Sequence, residues 1–317
     1  MRTTILWWLL ALCASAAWGQ GTTAKNLHIV VPFPPGGVGD VVARTLAGPL
    51  GRSLGQPVLV ENRPGATSVV GTDYAARAPA DGNMLLLCFN SFSITPAVRT
   101  VPYDAVRDFT GVSKVGTTPL VFAVSSAAPW RSFAEYLEQA RAKPGSVAYG
   151  TPGQAGAQHL AIESFKQTAR VELVHVPYQG AAPAVTALLG GHVTSVVVNV
   201  PDVVPHVQSG KLRALAVTSA FRSAALKDVP TVAESGFPGY EAELWIGVVT
   251  QRAVAAERVR RLNRALIDAL RQPEVAESFA RLGLTPTPTT PEQFDAFVRA
   301  EIAKNQAVAR QANLRVD

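Results

Sequence analysis

The apolar positions of the first hundred residues alternate between short strand-like runs and helix-spaced stripes. The run 27–31 is rich in β-branched residues, as in a buried parallel strand, and from Val38 the apolar positions recur every three or four residues. Strand-like runs at 57–61 and 84–89 flank a second helical stripe over 69–78, for which Thr67 or Ser68 is the expected cap. This order predicts a mostly parallel sheet covered by helices.

The middle of the chain repeats this order. Apolar runs 112–115 and 120–124 are separated by Gly116-Thr117-Thr118-Pro119, and we place the first crossing between two lobes near Leu120. Later segments are predicted as helices 133–142, 156–168 and 183–189, as strands 147–149, 171–176, 193–198 and 212–218, and as a turn at 205–209. A Pro/Gly-rich linker at 229–240 and a strand at 244–250 return the chain to the first lobe, and the remainder is helical.

The length of the chain also favours two lobes, because 317 residues exceed what one hydrophobic core usually serves. The predicted organisation is a signal peptide over 1–19, a first lobe over 20–120 and 225–317, and a second lobe over 121–224.

The N-terminus has the pattern of a cleaved signal peptide. Arg2 precedes an apolar stretch over 5–18, and Ala17-Trp18-Gly19 places small residues where a signal peptidase reads them. The stretch is short for a bilayer span, so cleavage near Gly19 and export to the periplasm are favoured over a retained anchor. Lipidation at Cys13 is a weaker alternative, because Leu12 is larger than the residue that usually precedes a lipidated cysteine. The mature chain keeps only Cys88, interpreted as an inert core residue, so it has no internal disulfide.

The net charge of the chain limits the kinds of partner that it is expected to bind. The formal charge of +6 becomes +5 when Arg2 is removed with the signal peptide, and the pI is near 9.5. This balance suits an acidic solute. The basic residues are scattered and do not alternate with aromatic residues, which argues against a nucleic-acid partner.

The stretch Pro34-Pro35-Gly36-Gly37 is the first candidate site. It follows a buried strand and precedes a helix, so the free N–H groups of the helix start lie beside glycines that leave room for an anion. A tight strand–helix turn without a ligand explains these residues equally well. The spacing matches neither a dinucleotide fingerprint nor a P-loop, because Val42 stands where a third glycine is needed and no Gly-Lys-Ser/Thr follows.

A second glycine-rich turn opens a helix in the second lobe. Gly150-Thr151-Pro152-Gly153-Gln154-Ala155-Gly156 follows a predicted strand, and Tyr178-Gln179-Gly180 follows the next one. If the lobes face each other, two helix starts converge on one cleft and could hold a carboxylate. The five histidines lack metal-ligand spacing, and no Gly-x-Ser-x-Gly elbow occurs, so neither a metal site, a cofactor nor an enzyme is predicted.

Several ordered motifs resemble the Bug (tripartite tricarboxylate transporter) family of periplasmic solute-binding proteins. They run from about residue 25 to the C-terminus and are Val31-Pro32-Phe33-Pro34-Pro35-Gly36-Gly37 with Asp40 and Ala43-Arg44, Val60-Glu61-Asn62-Arg63-Pro64-Gly65-Ala66, Ala80-Asp81-Gly82, Val176-Pro177-Tyr178, Gly180, Gly190-Gly191, 210–218 and 228–234. The resemblance implies a type II periplasmic-binding-protein fold, an α/β fold of two mostly parallel-sheet lobes joined by crossing hinge strands. It also implies closure on a small organic solute, usually a carboxylate.

The resemblance carries ligand-binding roles onto specific positions. These are Pro35, Gly36, Gly37 and Asp40 in the first lobe and Gly153, Gln154, Gly156, Tyr178 and Gly180 in the second, with Thr67, Ser68, Asn90, Ser91 and Asn199 as a second tier. Asp40 is expected to order water or support its turn rather than act as a base. The implied partners are a small organic acid and membrane transporter subunits, for a protein that acts as a monomer.

The chain departs from the family pattern at two places. Gly153-Gln154-Ala155-Gly156 stands where relatives commonly show Gly-Asn-Gly followed by Ser, and Val197-Val198-Asn199 stands where Phe-Asp-Asn is common. We therefore hypothesise a solute less polar than a dicarboxylate, such as a monocarboxylate with an apolar body. A periplasmic sensor that presents its ligand to a signalling protein is the alternative function, followed by an exported α/β enzyme.

Overall fold

The computed structural model describes residues 25–314, so the predicted signal peptide and the lipidation alternative at Cys13 lie outside the described residues. The strands are β1 (Leu27–Val31), β2 (Val58–Asn62), β3 (Met84–Phe89), β4 (Phe109–Ser125), β5 (Ala148–Thr151), β6 (Val174–Pro177), β7 (Ser195–Asn199), β8 (Leu212–Val217), β9 (Glu243–Gln251) and β10 (Thr285–Pro286). The helices are α1 (Val38–Leu54), α2 (Val69–Ala76), α3 (Ser91–Val98), α4 (Phe133–Ala142), α5 (Ala157–Ala169), α6 (Ala181–Leu189), α7 (Val200–Gln208), α8 (Ala256–Leu270), α9 (Pro273–Arg281) and α10 (Pro291–Gln311). None of the helices in this part of the chain is long and apolar enough to cross a membrane.

The sheet order is β2-β1-β3-β9-β4-β7-β5-β6, with β8 and β10 also paired to β4. Strands β1, β2 and β3 are parallel, as are β5, β6 and β7, because each group is joined through helices. We name the β1–β3 side lobe 1 and the β5–β8 side lobe 2.

Strand β4 is the long strand shared by both lobes. Its residues up to Pro119 pair with β9, and its residues from Leu120 onward pair with both β7 and β8. Strand β9 is the second connection, since it lies between β3 and β4 in lobe 1 and is reached through the linker from lobe 2.

Each lobe carries apolar cores on both faces of its sheet. In lobe 1, α1, α8 and α9 cover one face and α2, α3 and α10 cover the other. In lobe 2, α4 and α5 cover one face and α6 and α7 cover the other. Cys88 is buried in the lobe 1 core, and burial raises the pKa of its thiol, consistent with an inert residue.

Two local expectations were wrong. The segment 205–209, predicted as a turn, ends helix α7, whose Pro201 stands in the first helical turn where proline is tolerated. Ser68 has φ +76° and does not cap α2; its hydroxyl donates to Ser91 Oγ at 2.9 Å instead.

Candidate functional site

The first candidate turn, residues 34–37, links β1 to α1 and is exposed. Gly37 has the extended backbone of a helix N-cap, with φ −80° and ψ 173°, and α1 begins at Val38. Gly36 has φ +82°, a left-handed conformation that glycine adopts without strain. Within residues 25–314 no side chain caps this helix start, so its first N–H groups remain open to a ligand.

Asp40 holds this turn from the first turn of α1. One carboxylate oxygen accepts the Gly36 N–H at 3.0 Å, and Arg44 Nε donates to both oxygens at 3.0 Å. The hydrogen bonds from Arg44 and Gly36 lower the pKa of Asp40, so it stays ionised near neutral pH. Both oxygens are therefore engaged by the protein, and Asp40 supports the turn as the sequence had suggested.

Two neighbouring side chains fix the start of the same turn. Asn62 donates through Nδ2 to the carbonyl of Phe33 at 3.1 Å. The Phe33 ring stands edge-on to Phe89, with centroids 5.0 Å apart. A Cβ at Gly39 would lie 2.8 Å from Phe89 Cζ, so the glycine lets α1 approach the end of β3.

The lobe 2 turn, residues 153–156, links β5 to α5 and repeats this geometry. Gly156 is the N-cap residue, with φ −81° and ψ 175°, and Ala155 before it is left-handed with φ +52°. The Ala155 N–H donates to Nδ1 of His159 at 3.0 Å. Within the described residues this helix start also lacks a side-chain cap.

The two turns are closely matched. In each, a left-handed residue precedes the N-cap glycine and gives its N–H to the side chain at the third position after that glycine. That side chain is the carboxylate of Asp40 in lobe 1 and the imidazole of His159 in lobe 2. The remaining N–H groups at the start of each helix are donors that can bind an anion.

A second hydrogen bond fixes the other end of the lobe 2 turn. The Thr151 hydroxyl donates to the carbonyl of Gly153 at 3.0 Å and lies 2.6 Å from His175 Nε2. The rings of His175 and His159 are stacked with centroids 3.7 Å apart. Burial lowers the pKa of His175 to about 4, with the neighbouring His159 acting in the same direction.

Tyr178 and Gly180 join the next loop to this turn. The N–H groups of Tyr178 and Gly180 donate to the carbonyls of Thr151 at 2.9 Å and Pro152 at 3.0 Å. The Tyr178 ring lies beneath Gly150, where a Cβ would come within 3.0 Å of it. The backbone of both predicted residues thus braces the lobe 2 turn.

The second-tier residues of lobe 1 differ in their environment. Asn90 is buried, and its amide donates to the carbonyl of Glu243 at 3.0 Å and accepts from the N–H of Trp245 at 2.9 Å. Its side chain therefore links β3 to β9, which is a structural role. Ser91 is half-buried and bonded to Ser68, as described above.

Thr67 is exposed beside them. It lies within Ala66, Thr67 and Ser68, three consecutive residues with positive φ. Its carbonyl accepts from Thr95 Oγ1 at 3.4 Å, so the loop is attached to α3.

Asn199 is the second-tier residue of lobe 2. Its N–H donates to Asp202 at 3.1 Å at the start of α7, and its side-chain oxygen accepts from Gln158 Nε2 at 3.2 Å. Val198 is fully buried in the lobe 2 core, so its apolar character does not change the lining of the cleft. Gln154, in contrast, is exposed.

Helix α3 connects the candidate residues of the two lobes. Ala155 and Ala157 of lobe 2 pack with Ile94 and Val98 of α3 in one small apolar cluster. This contact connects the lobe 2 turn to the helix that begins after Asn90 and bears Ser91.

Sequence reasoning did not identify the residues that support the two turns. These are Arg44, Asn62, Thr151, Gln158, His159 and His175. The signal for two of the contacts was present, since Asp40 and His159 each stand three residues after a helix-starting glycine. Among the others, Arg44, Thr151 and Gln158 lie in the elements that flank the two turns, whereas Asn62 and His175 reach the turns from β2 and β6 and leave no local spacing to detect.

Comparison with known proteins agrees with this geometry. The profile of the family described as "Tripartite tricarboxylate transporter family receptor" matches residues 42–314. The chain is also 38% identical to protein BugT of Bordetella pertussis over 296 residues, which cover 92% of this chain and 91% of BugT. This chain belongs to the tripartite tricarboxylate transporter receptor family, the Bug proteins.

Solved structures of the family share its two-lobed α/β fold. A protein of R. palustris solved with adipate is 33% identical with a TM-score of 0.74, and the match covers 92% of this chain and 98% of that chain. MatC of Rhodopseudomonas palustris, solved with malate, is 26% identical with a TM-score of 0.70 and coverage of 90% and 99%. The predicted fold of the periplasmic solute-binding proteins is thereby confirmed.

Proposed function

We propose that this Bug protein captures a small organic acid in the periplasm and delivers it to a tripartite membrane transporter. The observation that carries the proposal is the matched pair of open helix starts, at Gly37 and Gly156, held by Asp40 and His159. Two such ends supply N–H donors and partial positive charge to a carboxylate from opposite lobes. Closure of the lobes on the bound acid is the state that membrane subunits would recognise.

The ligand class is a carboxylate with a short apolar body. The relatives solved with adipate and malate support a carboxylate group. Val38, the first residue of α1, has 47% of its surface exposed beside the lobe 1 turn and would contact an apolar segment. The hypothesis of a solute less polar than a dicarboxylate now depends on Val38 and Ala155, because Val198 lies in the core.

The predicted organisation supports this function. We propose export to the periplasm after cleavage near Gly19, and lobes divided at residues 120 and 225. The change of β4 partners between Pro119 and Leu120 supports the first boundary. Size-exclusion chromatography with light scattering tests the monomer that we propose, and cell fractionation tests export.

A binding screen tests the function directly. Isothermal titration calorimetry of the purified mature protein is expected to show binding of mono- or dicarboxylates and none of the matching uncharged amides. A set of monocarboxylates, with adipate and malate alongside, separates a less polar solute from a dicarboxylate. Absence of binding by every acid would contradict the proposal, and binding only of di- and tricarboxylates would reject the less polar solute.

Replacing Gly37 with Leu tests the position of the site. A Cβ at Gly37 would lie 3.7 Å from the carbonyl of Pro34, an ordinary contact, so the fold should tolerate the change. The side chain would project where the ligand meets the helix start, and we expect calorimetric affinity to fall by about 100-fold or more, as when a ligand group loses its hydrogen bonds.

Gly48→Leu is the matched control for this variant. Gly48 is exposed in the same helix, and a Cβ there meets only the end of Arg52 at 3.5 Å. Wild-type affinity is expected for Gly48→Leu. Equal affinity of Gly37→Leu and Gly48→Leu would place the ligand elsewhere.

A further inference from the structure

The lobe 2 turn is held by the imidazole of His159, which stops accepting a hydrogen bond at Nδ1 when that nitrogen is protonated. The Ala155 N–H donates to Nδ1 of His159, so this nitrogen must carry a lone pair and the ring proton must be on Nε2. A protonated imidazole donates through both nitrogens and cannot accept this hydrogen bond. In lobe 1 the equivalent acceptor is the carboxylate of Asp40, which remains ionised because its pKa is lowered.

We propose that His159 is a positioning residue that makes ligand binding by the lobe 2 turn sensitive to acid, while the lobe 1 turn remains unchanged. This inference rests on the proposed function. Protonation removes the acceptor of the Ala155 N–H and frees the left-handed residue that precedes Gly156. Since Ala155 is held at φ +52°, a strained conformation for alanine, loss of this bond favours a different turn.

The charged and titratable groups around His159 can accommodate its protonated ring. Nε2 of His159 lies 3.6 Å from Glu163 Oε1, and Glu163 also accepts from Lys166 Nζ at 2.9 Å and from Tyr149 OH at 3.1 Å. Burial opposes the charge of Glu163, but the hydrogen bonds from His159 and Lys166 outweigh it and hold its pKa at about 2. A protonated His159 thus faces a permanent carboxylate.

The stacked His175 is the other imidazole in the cluster. Its pKa, lowered to about 4 mainly by burial, keeps it neutral at pH 5 and above. A change from pH 8 to pH 5 therefore leaves the charge of His175 unchanged. His175 keeps its contact with Thr151, so the Gly153 end of the turn stays fixed while the Ala155 end is released.

The sign of the effect on binding follows from linkage. Because the binding-competent turn needs unprotonated Nδ1, ligand and proton compete for the same state of the protein. The affinity for the ligand is highest at high pH and decreases as the pH falls. Protonation removes the same acceptor that a leucine in place of His159 would remove, so we expect Kd to rise by about tenfold in all as the pH falls.

The first test uses the protein without a ligand. Nuclear magnetic resonance follows the amide of Ala155 and the ring of His159 in the mature protein from pH 8 to pH 5. The proposal predicts that the Ala155 amide signal moves, with the same midpoint as the His159 ring. An Ala155 amide that stays constant while His159 titrates would overturn it, as would a His159 ring that does not titrate in this range.

The second test uses variants and adipate as the probe. His159→Leu lacks an acceptor, so Kd at pH 8 is expected to rise by about tenfold, and its pH dependence should disappear. His159→Asn provides an amide oxygen that accepts but does not titrate, and it should recover most of this loss without regaining the pH dependence. A His159→Asn protein that keeps the wild-type slope would overturn the proposal.

His192→Asn is the matched control, since His192 is exposed on the surface of lobe 2. It should retain the affinity and the slope of the wild type. If adipate does not bind at any pH, malate and the monocarboxylates replace it as probes. Failure of all of them would reject the proposed function, while the amide signal of Ala155 would still decide whether His159 controls the turn.

Discussion

Gly247 is the residue at which β9 comes closest to α10. A Cβ on Gly247 would overlap the ring of Phe294, which is fully buried between Trp245 and Phe297. Ring centroids in this group lie 5.9 Å and 6.2 Å apart, so the ring has little room to move. Helix α10 can therefore pack this closely on lobe 1 only because Gly247 has no side chain.

Gly247→Ala should destabilise the protein by about 1–3 kcal/mol, the usual effect of overpacking a core. Urea denaturation followed by circular dichroism measures the shift in midpoint. Gly48→Ala, on an exposed helix position, should be neutral or slightly stabilising because alanine is the better helix former. Equal midpoints for the two variants would mean that Phe294 repacks freely.

The turn residues show what a sequence can indicate at this scale. The turns at Gly36, Gly37 and Gly156 were predictable, since glycine-rich segments between a strand and a helix favour such turns. The supporting role of His159 was not, because a buried histidine with one backbone partner resembles any other core histidine in sequence. Asp40 was interpreted correctly because an acidic residue in a first helical turn has a familiar role.

Among the elements, α10 has the most complete start signal. Thr290 Oγ1 accepts the Gln293 N–H at 3.2 Å, while Gln293 Oε1 accepts the Thr290 N–H at 3.0 Å. This capping box, with Pro291 in the first turn, starts the helix that packs on β9 and also reaches α5 of lobe 2.

Thr290→Ala removes one half of the capping box and should cost about 0.5–2 kcal/mol of stability. The urea midpoint measures this loss, and Thr290→Ser, which keeps the hydroxyl, should remain near the wild type. Ligand affinity should not change, because Thr290 starts α10, whose contact with the lobe 2 turn is made at the opposite end by Val308 and Ala309. An alanine variant as stable as the serine variant would show that Pro291 alone sets the helix start.

Physical reasons explain why two elements differ from what the sequence indicates. Helix α7 contains Pro201 and Pro205, and Pro205 indicates a turn unless tertiary packing overrides it. The region of β4 shows two separate apolar runs in the sequence, because Gly116 and Pro119 interrupt its apolar pattern. It is continuous because β9 pairs with it across both positions, a contact between residues more than a hundred apart.

At the scale of the whole molecule, a buried ion pair connects the two strands that cross between the lobes. Lys114 of β4 and Glu243 of β9 approach to 3.8 Å, with only 14% and 7% of their side chains exposed. The Lys114 ammonium also lies 4.7 Å from the ring centroid of Phe297. Burial lowers the pKa of Lys114 and raises that of Glu243, so each charge depends on the other.

Lys114→Met should destabilise the protein by about 3–5 kcal/mol, because it leaves the Glu243 carboxylate buried without a counterion. A carboxyl whose folded pKa is raised stabilises the fold below its unfolded pKa, and this contribution is lost as pH rises through the folded value. The deficit of Lys114→Met should therefore be larger at pH 8 than at pH 5 in urea denaturation. The double variant Lys114→Met/Glu243→Gln removes both charges and should recover most of the stability at either pH. A double variant no more stable than Lys114→Met would show that the Lys114 side chain supports the hinge by packing on Phe297 rather than by its charge.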